Sequence, residues 1–197
     1  MRKFLTFLLA VILLAALPEI QSAQTHSSVN SAAVASMQRK LEHVQSNGAL
    51  AHPDTASTEF SEQEINAYFA SGSVKLPAGV QSATFQAQPE VVTSTARVDF
   101  DQLKTGRNSS NPLLSVFAGV HDVVVVAHAH GIGGHGFVHV DSVSLDGVEI
   151  PAFVLQIFVQ KYLQPRYPNI GLDSRFALPD RVDTATVGLR TLTITQK

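Results

Sequence analysis

Eight histidines punctuate a chain that has no cysteine. Four of them, His128, His130, His135 and His139, fall within one short glycine-rich stretch. Side chains alternate along a strand, so His128 and His130 would share a face, and across a hairpin His139 would oppose one of them. Asp141 would lie on the His139 face. Imidazoles placed in this way have the chemistry to hold Zn²⁺ or Cu²⁺. The same residues also read as the polar, solvent-facing side of a sheet whose other side is Val123, Val125, Ala127 and Ala129, and on that reading no metal site is assigned.

A second pattern overlaps the first. Gly131-Ile132-Gly133-Gly134-His135-Gly136 spells GxGxxG after an apolar strand. A dinucleotide site needs a helix to begin there, so that its N-terminus meets the pyrophosphate. Phe137-Val138-His139-Val140 follows instead and reads as a returning strand, so a hairpin is expected. Neither a GxSxG elbow nor an HExxH pair occurs, and no local arrangement singles out a nucleophile and base. The expectation is a non-enzymatic protein without a cofactor. Asn108-Ser109-Ser110 fits the glycosylation pattern, which has meaning only in a host that glycosylates exported proteins.

Composition narrows the classes further. Charged residues make up 15% of 197 and the formal net charge is −2, which argues against a nucleic-acid partner, since that needs a basic face. Hydrophobic residues at 45% supply a core. Arg2 and Lys3 precede an apolar run from Phe4 to Leu17, interrupted only by Thr6 and ended by Pro18. At about 14 residues the run is shorter than the roughly 20 that span a bilayer as a helix. It reads as a signal peptide over residues 1–23, with cleavage after Ala23 or retention as an anchor. A periplasmic or secreted location follows.

The elements that would position these residues are read from periodicity. Val29, Ala33, Met37, Leu41 and Val44 recur at helical spacing, and Asn47-Gly48 ends that helix. A polar linker follows, so 24–58 reads as N-terminal helix and linker. Ser61-Glu62-Gln63-Glu64 is a capping box opening a second helix, with Ile65, Tyr68 and Phe69 as its apolar stripe. From Val80 the period changes to two. Strands are expected around Val92–Phe100, Val120–His130 and Phe137–Leu145, with turns at Gly131–Gly136 and Asp146-Gly147, and a helical turn over Leu113–Phe117. Pro151 starts a third helix running to Leu163. Two strands, Leu172–Leu178 and Thr184–Thr195, close the chain. Helices, strands, a helix and strands in that order give an α+β class, with a twisted antiparallel sheet packed against amphipathic helices over residues 59–197.

The third helix carries its polar residues, Gln156, Gln160, Lys161 and Gln164, on one side, and is otherwise apolar. So wide an apolar surface needs cover on several sides. The cover is a dense core, a partner interface, or a ligand.

The string VHVDSVSLDGVEIPAFVLQIFVQKYL, from Val138 to Leu163, resembles the strand, Gly-x-x-Ile/Leu-Pro and apolar-helix unit of the LmeA-like periplasmic phospholipid-binding proteins. FSEQEINAYFASG resembles that family's opening helix, Ala96-Arg97-Val98-Asp99 its early strand, and LPDRVDTATVGLRTLTIT its closing turn and strand. The resemblance spans residues 60–195; the N-terminal helix and the His-rich hairpin depart from it. It implies half of a tubular lipid-binding (TULIP-type) fold, with an apolar groove between sheet and helix and no catalysis.

The resulting expectation is a phospholipid or other apolar ligand, with contact to a membrane surface. Phe153, Leu155, Phe158, Val159 and Tyr162 would line the groove, with Ile65, Tyr68 and Phe69 opposite. Two alternatives stand beside it. One is a structural or adaptor protein of the cell envelope. The other is a hydrolase or metal-binding protein using the His-rich hairpin.

Overall fold

The computed structural model describes residues 31–104, 112–165 and 167–197. The leader at 1–23 and the Asn108–Ser110 pattern lie outside the described residues.

The chain folds as an α+β domain in which an open, twisted antiparallel sheet of nine strands packs with four helices. Helix α1 (Ser31–Gly48) buries Ala33, Met37, Leu41 and Val44 of the stripe read from the sequence, whose first residue, Val29, lies outside the described residues. Asn47 does more than end it. It is buried, and its amide donates to Gln196 Oε1 at 2.8 Å, tying the helix to the end of the last strand.

Strand β1 (Thr58–Ser61) leads straight into α2 (Glu62–Ala70), whose capping box is complete. Glu64 also reaches α1. Its carboxylate accepts from Ser36 Oγ at 2.5 Å and from Lys40 Nζ at 2.8 Å. Burial alone would raise the Glu64 pKa, but these bonds and those from Ser61 outweigh it and hold the group at about 2.

Strand β4 (Val120–Ile132) is the spine of the sheet. Along one edge it pairs first with β3 (Val91–Asp99) and then, at His130 and Gly131, with β8 (Val182–Gly188). Along the other it pairs with β5 (His135–Leu145). Beyond β3 lies β2 (Val80–Gln88), and beyond β8 lie β9 (Thr191–Gln196) and β1. On the far side of β5 sit β6 (Val148–Glu149) and β7 (Asp173–Ala177). A Cβ on Gly131 would stand 2.8 Å from the Ala185 Cβ, so the close approach of β4 to β8 explains that glycine. Helix α2 terminates the sheet at β2. Asn66 bonds both the N–H and the C=O of Phe85 at 2.8 Å, and Glu62 accepts the N–H of Ala87 at 2.9 Å.

Several features depart from the sequence reading. Thr184–Thr195 is a hairpin of two strands rather than a single strand. Arg190 turns it at φ 57, and tertiary bonds pin the turn: the Arg190 N–H to Ala87 O, and the Glu62 N–H to Arg190 O. The expected six-residue turn at Gly131–Gly136 tightens to Gly133-Gly134, whose positive φ values suit a two-residue hairpin loop. The third helix is α-helical only over α4 (Ala152–Phe158) and continues as a π-turn, Val159–Leu163. Phe100–Lys104 forms a short helix, α3, and Pro112–Leu114 a 3₁₀ turn on which α4 packs.

These elements, apart from the exposed β6, share one apolar core, from Met37 on α1 to Ile194 on β9. No helix among the described residues is long and apolar enough to cross a membrane.

Candidate functional site

The outer face of β4, β5 and β7 carries two rows of side chains, set by strand register. In one row His128 pairs with His139, and His139 with Asp173. In the next, His130 pairs with Phe137, and Phe137 with Arg175.

A β-bulge adds a fourth polar group to the first row. Val126 pairs with Ser142 and Ala127 with Val140, which leaves Asp141 as the extra residue of β5. The sequence contains the reason. Val138 and Val140 face the core with one parity, and Val143 and Leu145 with the other. One residue must be skipped to reconcile them, and the skipped residue is aimed outward beside the histidines.

The geometry of the first row is specific. His128 Nδ1 lies 2.8 Å from Asp141 Oδ2, and His139 Nδ1 lies 2.6 Å from Asp173 Oδ1. The second ring nitrogen of His139 is 3.9 Å from Asp141 Oδ1. The hydrogen bond to Asp173 raises the His139 pKa, helped by the charges of Asp173 and Asp141. In the second row the His130 and Phe137 rings stack at 5.1 Å and 17°, and the Arg175 guanidinium stands 5.3 Å from the Phe137 centroid. Between the rows lies a trough of about 240 Å³, open to solvent. His135 stays apart, its Nδ1 on the Gly133 carbonyl at 3.1 Å. Among the described residues, no three His, Cys, Asp or Glu side chains are placed so that they could hold a metal ion.

A separate histidine–carboxylate pair closes the other end of β4. His121 bonds Asp146 Oδ2 at 2.7 Å through Nδ1 and the Ala118 carbonyl at 2.8 Å through Nε2. The Asp146 bond raises the His121 pKa against partial desolvation, and the same bond lowers that of Asp146. Two acceptors at two ring nitrogens suit the imidazolium, so this pair clamps the Asp146-Gly147 turn.

The residues expected to line an apolar groove are placed as follows. Leu155, Phe158, Val159 and Tyr162 are buried on α4 and the π-turn, and Ile65, Tyr68 and Phe69 on α2. All seven belong to the common core. Phe153 points outward, 59% exposed. Phe158 packs on Phe100, Phe117 and Tyr162, whereas Phe69 packs edge-on against Phe85. Within the first cluster the Tyr162 hydroxyl is buried and has no hydrogen-bond partner among the described residues. A buried hydroxyl left unpaired costs about 1–3 kcal/mol.

Comparison with protein families, with curated proteins and with solved structures found no match to this chain.

Asp173, Phe137 and Arg175 were absent from the sequence-level site. Phe137 lies in the hairpin itself, opposite His130, whereas Asp173 and Arg175 reach the site only through the pairing of β5 with β7, across a separation of more than thirty residues that holds a helix. The bulge at Asp141 had a local signal, the parity switch between Val140 and Val143.

Proposed function

We propose that this is an exported, non-enzymatic protein that binds an apolar ligand with a polar head, of the phospholipid or fatty-acid class, against α4 and the π-turn. The observation that carries the reading is the Tyr162 hydroxyl. It is a donor buried among Phe158 and its neighbouring rings, on a helix that the sequence makes apolar nearly all round. Single π-turns inside helices frequently mark functional sites. A ligand ester or carboxylate at that point would accept the hydroxyl's proton and remove the cost of leaving it unpaired. Roughly ten methylenes at about 0.8 kcal/mol each would then bring the affinity into the micromolar range.

Entry would be at the exposed end of α4. Phe153 stands 59% exposed there, and on and just after the adjoining 3₁₀ turn Leu113 is 46% and Val116 38% exposed. A ligand chain would part Phe158 from Phe117 as it entered. The same exposed apolar residues favour a second reading, in which this end docks on a partner protein of the cell envelope.

Native mass spectrometry of the protein, purified gently from a bacterial periplasm, tests the proposal. Bound phospholipid is expected, with retention lowered about 5- to 30-fold in Tyr162→Phe, the equivalent of about 1–2 kcal/mol. Phe153→Ser should slow uptake from phosphatidylglycerol vesicles without changing Tm. A protein that stays unliganded after incubation with such vesicles sinks the lipid reading and leaves the protein-docking one.

A further inference from the structure

We infer that the outward edge of β7 is a self-association surface, on which a second copy of this chain adds its own β7 antiparallel about Ser174, so that Asp173 of each copy meets Arg175 of the other. This inference is independent of the lipid reading, because Tyr162 and Phe153 play no part in it.

The edge is open for hydrogen bonding. Strand β7 pairs with β5 alone. The Val140 N–H donates to Leu172 O and the Leu178 N–H to Gly134 O, both at 2.8 Å. Those two bonds fix the alternation along the ladder. Leu172, Ser174, Phe176 and Leu178 turn their backbone groups toward β5, and Asp173, Arg175 and Ala177 turn theirs outward. The β2 edge differs, because side chains of α2 occupy it.

Charge then selects one register. Outward groups face outward groups only if the two-fold axis relating two β7 strands passes through a residue. With the axis at Asp173 or at Arg175, like charges stand face to face. With the axis at Phe176 or Ala177, neither Asp173 nor Arg175 faces an opposite charge within β7. With the axis at Ser174, Asp173 faces Arg175 of the partner subunit, and the symmetry repeats the pair. Each of these pairs also exchanges both of its backbone hydrogen bonds. Charges on an edge strand ordinarily block strand addition, but here they admit the one register in which they match.

The side chains are disposed for it. Arg175 stands over the Phe137 ring at 5.3 Å and makes no ion pair among the described residues. The Asp173 side chain is 82% exposed, and its bond to His139 uses Oδ1. The row of His128, His139 and Asp173 would thus continue into Arg175 of the partner subunit. On the inner side Leu172 would face Phe176 of the partner subunit, and each is only partly buried against its own core. Pairing of β7 with itself is isologous, so assembly through this edge stops at the dimer.

Sedimentation equilibrium of the protein purified from the periplasm is the test, over a range of concentrations at low salt. A monomer–dimer equilibrium with a micromolar dissociation constant is expected. Arg175→Asp gives a chain with two acids on this edge and Asp173→Arg one with two bases, so each alone should dimerise at least about tenfold more weakly. An equimolar mixture of the two variants should recover the wild-type constant to within about threefold, because both cross-strand pairs are then complementary again. Both positions are exposed, and circular dichroism serves as the folding control. The inference is overturned by a wild type that stays monomeric up to about 1 mM. It is equally overturned by a dimer that both variants leave undiminished, or by variants that fail to associate with each other. Failure here leaves the lipid proposal untouched.

Discussion

The two faces of the sheet handle polar groups in opposite ways. On the outer face, His128 and His139 each hydrogen-bond a carboxylate, in water and at little cost. On the inner side, around α4, aromatic rings close on one another and a single hydroxyl, that of Tyr162, is left without a partner among the described residues. A sheet covered on one side can place its polar chemistry at no cost to its core, whereas an internal polar atom without a partner is a penalty carried by the core itself. The contrast separates two kinds of candidate site: one assembled by strand register and one defined by a deficiency.

Mutations can break that contrast. The largest effect is expected from Phe158→Ala, which removes a fully buried ring from the Phe100–Phe117–Tyr162 cluster and should destabilise by about 3–5 kcal/mol in denaturant unfolding. Next comes Glu64, a buried carboxylate in which both strategies meet. Its folded pKa of about 2 lies below the ordinary 4.5, so its contribution is complete above pH 4.5 and is lost as pH falls from there towards 2. At 1.36 kcal/mol per unit that is about 3 kcal/mol, and Glu64→Gln should flatten the acid limb of stability against pH in that window.

Tyr162→Phe sharpens the contrast from the other side. It keeps the ring and deletes the unpaired donor, so the unliganded protein should gain roughly 1 kcal/mol in denaturant unfolding while its ligand affinity falls. A smaller effect is expected at His121, whose pKa is raised. Its clamp is fully present below the ordinary pKa and is lost as pH rises through the raised value, so wild type and His121→Gln should converge in Tm at alkaline pH. The smallest is His139→Ala, which should leave Tm unchanged, since its ring is exposed.

Much of this frame was legible because it rests on local periodicity. The stripe Ala33, Met37, Leu41 and Val44 gave α1, the Ser61–Glu64 box gave the start of α2, and alternation gave β3, β4 and β5. What escaped depends on distant partners. The strand β1 is short and polar, and it exists because β9 pairs with it. The turn at Arg190 carries no glycine in the left-handed position, and is held by Ala87 and Glu62. The π-turn, and the emergence of Phe153 while Phe158 is buried, follow from how α4 seats on Phe100 and Phe117. The outer-face site was half legible: the histidines and Asp141 were visible as a group, but Asp173 and Arg175 belong to it only through β7.

The way α2 meets β2 has a consequence for assembly. Sheets grow by adding strands to free edges, and such growth is the route to fibres and swapped dimers. Here the growing end is stoppered by two side chains of one helix turn, Asn66 and Glu62, which occupy the backbone groups of Phe85 and Ala87 that an incoming strand would need. Swinging that short helix aside would turn the β2 edge into a template, so the protection of that one edge rests on Asn66 and Glu62, beside the Arg190 N–H that already holds Ala87 O.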